Sequence, residues 1–321
     1  MRRHHRAKPG IFLLVVALLV AMAGYGGSCG TYNPTPSENL EIRTWYDLDE
    51  VRDNLDGNHI LMNNLDSTTL GYEQLAGPTA NEGKGWQPIG FPTPHGPIAY
   101  VGFTGTFDGQ ACEIRDLYIN RPDEDRVGLF GETHEAVIRY IGVVNVTAIG
   151  GEAVGALAGT ISWDGNVSNC YSTGNITGQD GVGGLLGVNW GTVRNSYSSC
   201  NVTGISSVGG LVGVTGPAQI LSNSYSTGSV TGVDDVGGMV GSNVVYELNV
   251  TGISNSFWDT EASGLSASSG GTGKNTTEMQ DIATFSAAGW NITAVSLDHT
   301  NPYSIWNIVN NVTYPFLGWQ S

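Results

Sequence analysis

The sequence predicts an all-β chain built as a stack of repeats, and three observations carry that prediction. First, a glycine-rich phrase recurs: VGGLLG from Val182, VGGLVG from Val208 and VGGMVG from Val236, with looser copies VGALAG from Val154 and VGLFG from Val127. The opening valines are 27, 28, 26 and 28 residues apart, a period typical of solenoids. Second, another phrase travels with it: NCYSTGNITG from Asn169, NSYSSCNVTG from Asn195, NSYSTGSVTG from Asn223 and NSFWDTEASG from Asn255. Third, the residues around that phrase alternate strictly, as strands do. Val167, Asn169 and Tyr171 share one parity, and Ser168, Cys170 and Ser172 the other.

The alternation sets an expectation for the interior. The aliphatic, asparagine and aromatic positions are assigned inward and the serines to solvent. Rungs about 4.8 Å apart would then align Asn169, Asn195, Asn223 and Asn255 into a ladder, each amide bonding to the next. A ladder would satisfy a buried polar group that is costly alone. The glycine-rich phrase resists the same treatment, because Val182 and Leu185 have opposite parity. Either both faces of that strand are buried or a bulge resets the alternation.

Taken in order, the chain divides into six segments. Residues 1–28 read as an export signal: Arg2, Arg3, Arg6 and Lys8 precede the apolar run Ile11 to Ala23, which is short for a bilayer span. Cleavage could follow Ala21-Met22-Ala23, or a lipoprotein-type box could place a lipid on Cys29. Residues 29–37 would form a tether. Residues 38–70 read as an N-terminal cap, with a capping box at Thr44 and Asp47, helical spacing through Trp45, Leu48 and Leu55, a stop at Gly57 and a strand at His59–Met62. Residues 71–126 are Gly- and Pro-rich first rungs, with Asp108-Gly109 marking a tight turn. The regular repeats occupy 127–264. Residues 265–321 form a C-terminal cap: a flexible SASSGGTGKN loop, a short helix from Thr276, and an aromatic tail covering the far end of the stack.

Composition narrows the function. The 321 residues carry a net charge of −16, and the basic residues before position 9 account for four of 13. Without them the chain has nine basic and 29 acidic residues, which argues against nucleic-acid partners. A disulfide between Cys170 and Cys200 is not expected, because their repeat positions differ by four residues, about 13 Å of strand. Both are expected as unpaired surface or turn residues, and Cys112 as a small core residue.

The phrases VGGLVG and NSYSTGSVTG resemble the GLUG repeat of bacterial and archaeal surface proteins. TWYDLDEVRDNL, GWQPIG, FTGTFDGQ, GGTGKNTTEM and the terminal YPFLGWQ resemble segments that accompany it. The resemblance implies a right-handed parallel β-helix with short capping helices at both ends. Members occur in adhesin-like exported proteins and in some secreted immunoglobulin A proteases.

Enzyme chemistry has weak support in these residues. His134-Glu135-Ala136-Val137-Ile138 lacks the second histidine of a zinc-protease helix. No phosphate loop is present. Asp123, Glu124 and Asp125 could supply a polysaccharide-degrading pair, but a charge cluster before a strand is ordinarily a solvated turn. Asp125, Glu152 and Asp180 occupy one repeat position and could hold Ca²⁺ as a column of carboxylates, with no other cofactor expected. Eight Asn-x-Ser/Thr sequons occur, at Asn145, Asn166, Asn175, Asn201, Asn249, Asn275, Asn291 and Asn311. The expectation is a non-enzymatic, exported, cell-surface or extracellular solenoid with a binding face for a protein or glycan. It would meet the membrane only through its signal or a lipid. The alternatives are a polysaccharide lyase or hydrolase, or an accessory repeat module of a secreted peptidase-like protein.

Overall fold

Each repeat makes one turn of a parallel β-solenoid with about five turns in all. The computed structural model describes residues 39–90, 102–162, 164–217, 219–244 and 252–320. The expected signal, tether, Cys29 and the Asn249 sequon lie outside them. One turn runs through Tyr171–Thr177, Asp180–Gly183, Leu186–Asn189 and Thr192–Arg194 before Tyr197–Thr203 begins the next. Stacking gives three sheets. One holds Glu152–Val154, Asp180–Gly183, Ser206–Gly209 and Asp234–Gly237. A second holds Phe130–His134, Ala158–Ser162, Leu186–Asn189, Val212–Thr215 and Val240–Asn243. The third is bent, and Val137–Ile149 spans both of its limbs. From Tyr171 on, register is kept to the residue, as in Tyr171↔Tyr197↔Tyr225↔Phe257.

The inward assignment of the asparagines and aromatics is corrected by the bend in that third sheet. Asn169, Asn195, Asn223 and Asn255 adopt left-handed backbone, with φ of 56°, 50°, 50° and 48°. Asparagine tolerates this region better than most residues, so it turns the chain and resets the alternation. Val167 and Cys170, three residues apart, therefore both point inward, and Tyr171 points out. The asparagines are partly or fully exposed, and the contact between the amides of Asn223 and Asn195 is long, Nδ2 to Oδ1 at 3.5 Å.

The ladder instead belongs to the serines. Cys170, Ser196, Ser224 and Ser256 form a buried column. Ser196 Oγ donates to Arg194 O at 2.8 Å and accepts the amide of Cys170 at 3.2 Å. Ser224 and Ser256 repeat both bonds one turn on. Each hydroxyl is thus satisfied within its own rung and tied to the preceding one, which is what makes a polar residue tolerable inside. Cys170 and Cys200 are both buried, not on the surface, and neither is in a disulfide. Burial pushes their thiols up to about 12 and about 11. Cys112 is half-buried against the same core.

The glycine-rich phrase also has a simple resolution. Asp180–Gly183 and Leu186–Asn189 belong to different sheets, so Gly184-Leu185 is a corner, and Val182 and Leu185 both reach the core. The corner is tight. A Cβ on Gly183 would stand 2.0 Å from Leu186 O.

At the N-terminal end, Thr44 Oγ1 accepts the amide of Asp47 and the Asp47 carboxylate accepts that of Thr44, closing the expected capping box. The helix Trp45–Asp49 continues as a 3₁₀ turn, Glu50–Asp53, and buries Trp45, Leu48 and Val51 in the main core. The expected turn at Asp108-Gly109 is not made. Thr106–Arg115 is one strand with a register shift, and the left-handed residues are Gln110 and Ala111.

The C-terminal segment does two jobs. Its first part closes the last turn: Ala267 O accepts from Gly238 N, Ser268 Oγ accepts from Met239 and Val240 N, and Thr272–Lys274 pairs with Phe257–Asp259. The SASSGGTGKN stretch is therefore paired backbone rather than free loop. The remainder does not cover the far end but lies along the side of the stack. Trp290, Trp306, Ile308 and Leu317 cluster with Tyr171, Tyr197, Tyr225 and Phe257 in a second apolar core outside the solenoid. Two short helices, Thr276–Met279 and Ile282–Ala287, stand where one was expected.

Candidate functional site

The glycine corner builds a groove between the first two sheets. The segment entering each corner carries one left-handed residue: Arg126 before the first copy, then Ala153, Gly181, Ser207 and Asp235, with φ of 57°, 57°, 62°, 52° and 50°. The glycine closing the next copy of the phrase lies against it. A Cβ on Gly159 would stand 2.5 Å from Arg126 Cα, and one on Gly187 2.5 Å from Ala153 C. Glycine at that position lets the two sheets approach, and the side chains flanking the approach line an elongated concavity of about 360 Å³.

Its polar wall is organised around Glu132. This carboxylate is 7% exposed. It pairs with Arg126 Nε at 3.2 Å and His134 Nε2 at 3.3 Å, and Ser162 Oγ lies 3.5 Å away. Buried charge is tolerated only with such partners. On the same sheet, two turns further along the stack, Trp190 is half-buried over Gly216, where a Cβ would come within 2.1 Å of the indole. Asp125 and Glu152 complete the rim.

Of the residues expected to carry function, the groove gathers Asp125 and Glu152. Asp180 is in register with Glu152 one turn on, and Ser206 and Asp234 follow. These carboxylates are not arranged as a calcium cage. Asp125 Oδ1 accepts the amide of Glu152 at 2.9 Å, Asp180 Oδ1 accepts that of Gly181 at 2.8 Å, and among the described residues no three His, Cys, Asp or Glu gather to hold a metal ion. Glu124 is held by Arg121 at 2.9 Å and Lys84 at 3.1 Å. Burial works to raise its pKa, but these bonds outweigh it and leave the carboxyl below its ordinary value, the wrong direction for a general acid.

Arg126, Glu132 and Trp190 were not legible as a set. Glu132 lies on the strand Phe130–His134, Arg126 precedes that strand and Trp190 follows the strand Leu186–Asn189 two turns on, where the flanking turns have Ser162 and Gly216. Trp190 is the departure from the repeat that could have been noticed. A second concavity, about 550 Å³, lies beside the tail, where His299 Nδ1 is 3.1 Å from Ser296 Oγ. The same nitrogen is 3.1 Å from Leu297 O. That is the geometry of a local turn, and it does not present an activated serine.

Comparison with known proteins agrees with the repeat reading. The model of the GLUG motif matches residues 150–177. Over 161 residues the chain is 35% identical to halomucin of Haloquadratum walsbyi, a match that covers 49% of this chain and 2% of halomucin. The chain thus spans a small fraction of that relative's length. A crystal structure from Bacteroides ovatus, of a protein described as a candidate immunoglobulin A1 protease, superposes with a TM-score of 0.62 over 89% of this chain and 94% of that one. At 17% identity this likeness speaks to the fold alone.

Proposed function

We propose that this GLUG-repeat chain is a non-enzymatic module of a surface or secreted protein that presents the outer side of its solenoid to a glycan or protein partner. The observation that carries this reading is the groove, which is lined by both the Trp190 indole and a fixed Arg126–Glu132 pair on a rigid stack. The similarity to halomucin supports an extracellular setting. Of the carboxylates that an enzyme reading would draw on, Glu124 is engaged by Arg121 and Lys84. The N-terminal 28 residues would direct export, and Cys29 would carry a lipid if the second processing route is taken; intact mass of the membrane-extracted protein distinguishes the two.

The test is binding of the purified chain to a glycan array and to whole cells, with reducing ends and unsaturated products monitored in parallel. Saturable binding without product is expected. Product release from any polysaccharide would overturn the non-enzymatic reading, and absence of binding to every surface would overturn the binding one.

A further inference from the structure

We propose that the groove takes oligosaccharides of amino sugars, with the sugar ring against Trp190 and its ammonium group between Asp125 and Glu152. This rests on the reading of the chain as a binding module and names the ligand class of its groove.

Shape comes first. The lining runs from Asp125 to Val214, four successive turns of the stack, or about 14 Å along the axis. That favours an elongated, chain-like ligand over a compact one. Its volume is at the small end for ligand sites, which run from about 300 to 1,000 Å³. Trp190 is held in place before any ligand arrives, because Gly216 of the next turn leaves room for the indole to lie on its backbone. A pre-set aromatic wall costs little to order and offers a π-face that attracts both C–H surfaces and cations.

Charge then selects among sugars. Arg126 and Glu132 offset one another at 3.2 Å. Asp125 and Glu152 remain on the rim, and among the described residues Arg126 is the one lysine or arginine in the lining. An uronic acid or sulfated sugar would place its anion beside these carboxylates, in a chain whose net charge is already −16. A neutral sugar would leave them without a cation. A glucosamine ammonium supplies the missing charge, and Thr160 and Ser162 supply hydroxyl partners for the ring.

The experiment is calorimetric titration of the full chain with glucosamine tetramer, cellotetraose and galacturonic acid trimer at low and high salt. Glucosamine tetramer should bind about tenfold more tightly than cellotetraose at low salt, with the gap closing at high salt. The galacturonate should not bind. Asp125→Asn with Glu152→Gln should abolish the preference and retain cellotetraose binding. Trp190→Ala should weaken both neutral and amino ligands at least tenfold. Equal affinity for the two tetramers, or a preference that survives the double substitution, overturns the proposal. Since the rim carboxylates are exposed, the double variant keeps the test decisive even if Trp190→Ala lowers the melting temperature. Binding to cells or proteins with no response to glucosamine tetramer would sink the groove assignment while leaving the binding-module reading intact.

Discussion

Tyr197 lies flat on Tyr225 outside the solenoid, with ring centroids 4.8 Å apart and planes 2° from parallel. Tyr171 continues the stack on the other side of Tyr197 at 5.0 Å. Strand register dictates this spacing, since the three tyrosines occupy one position in successive turns. A column of outward aromatic rings would be a large exposed apolar stripe, and the tail removes it from water. Trp306 meets Tyr225 at 5.7 Å, Gln320 Nε2 donates to the Tyr197 hydroxyl at 2.8 Å, and the Tyr225 hydroxyl donates to Pro315 O. The repeat thus builds a seam along its side that the C-terminal segment fills.

The seam should be stability-bearing. Trp306 is fully buried against Tyr197, Tyr225 and Trp290. Trp306→Ala should cost about 3–5 kcal/mol. A urea titration followed by near-UV circular dichroism reads the loss, and limited proteolysis should then cut after Trp290 first. An unchanged midpoint would show that the tail contributes nothing to the stack.

The same burial makes stability fall in alkali. Desolvation first, then the nearby Glu113 carboxylate, holds the Tyr171 phenol well above its ordinary value of 10.0; burial does the same for Tyr197 and Tyr225. Tyr314 is pushed up to about 12 by burial and by its bond to Asp259. The unfolded chain loses these protons near pH 10 while the folded one keeps them, so it is unfolding that releases protons there. The stabilisation is therefore complete below pH 10 and lost as pH rises through the folded values. Chemical denaturation at pH 8, 10 and 11 should show little change from the ordinary alkaline trend at first and a steep drop at the last. Phenolate absorbance that reaches its full value for all 13 tyrosines near pH 10, without loss of structure, would contradict it.

The period, the rungs and the capping box at Thr44 were legible because each depends on neighbours in sequence. Which way the rungs face was not. Asn169 and its counterparts look like one more step of an alternation, and only their left-handed backbone shows that they end it. Asparagine at a fixed place in every turn was the available sign, since it is the non-glycine residue most at ease there. The course of the tail was illegible for a different reason: capping an end and covering a side both call for aromatics, and only the outward direction of Tyr171, Tyr197 and Tyr225 decides between them. In the groove, Asp125 and Glu152 followed from the repeat register. Trp190 and the Arg126–Glu132 pair depend on how two sheets meet at a corner, which no single strand specifies.

The inner serine column predicts an asymmetry. Cys170 stands where the other turns have serine, and its thiol already faces Ser168 O at 3.2 Å. Cys170→Ser should therefore change stability by less than about 1 kcal/mol. Ser224→Ala removes the acceptor of Ser196 N and should cost about 1–3 kcal/mol, because a buried amide is left unpaired. Equilibrium unfolding of both variants checks the pair. A cysteine replacement costlier than the serine one would refute the column.

Glycines that look alike in sequence should separate by an equally simple measurement. Gly183 has no left-handed backbone, but a Cβ there would lie 2.0 Å from Leu186 O and 2.6 Å from Gly213 N, both backbone atoms that cannot rotate aside. Gly183→Ala must open the corner and shift the neighbouring turn, at about 3 kcal/mol. Gly264 ends the helix Thr260–Ser263 with φ of 72° and nothing within 4 Å of its would-be Cβ. Gly264→Ala meets only the backbone penalty, about 1–2 kcal/mol. Thermal melts should place the first variant well below the second. The reverse order would mean that backbone conformation, and not the close approach of two sheets, is what requires glycine in the repeated phrase.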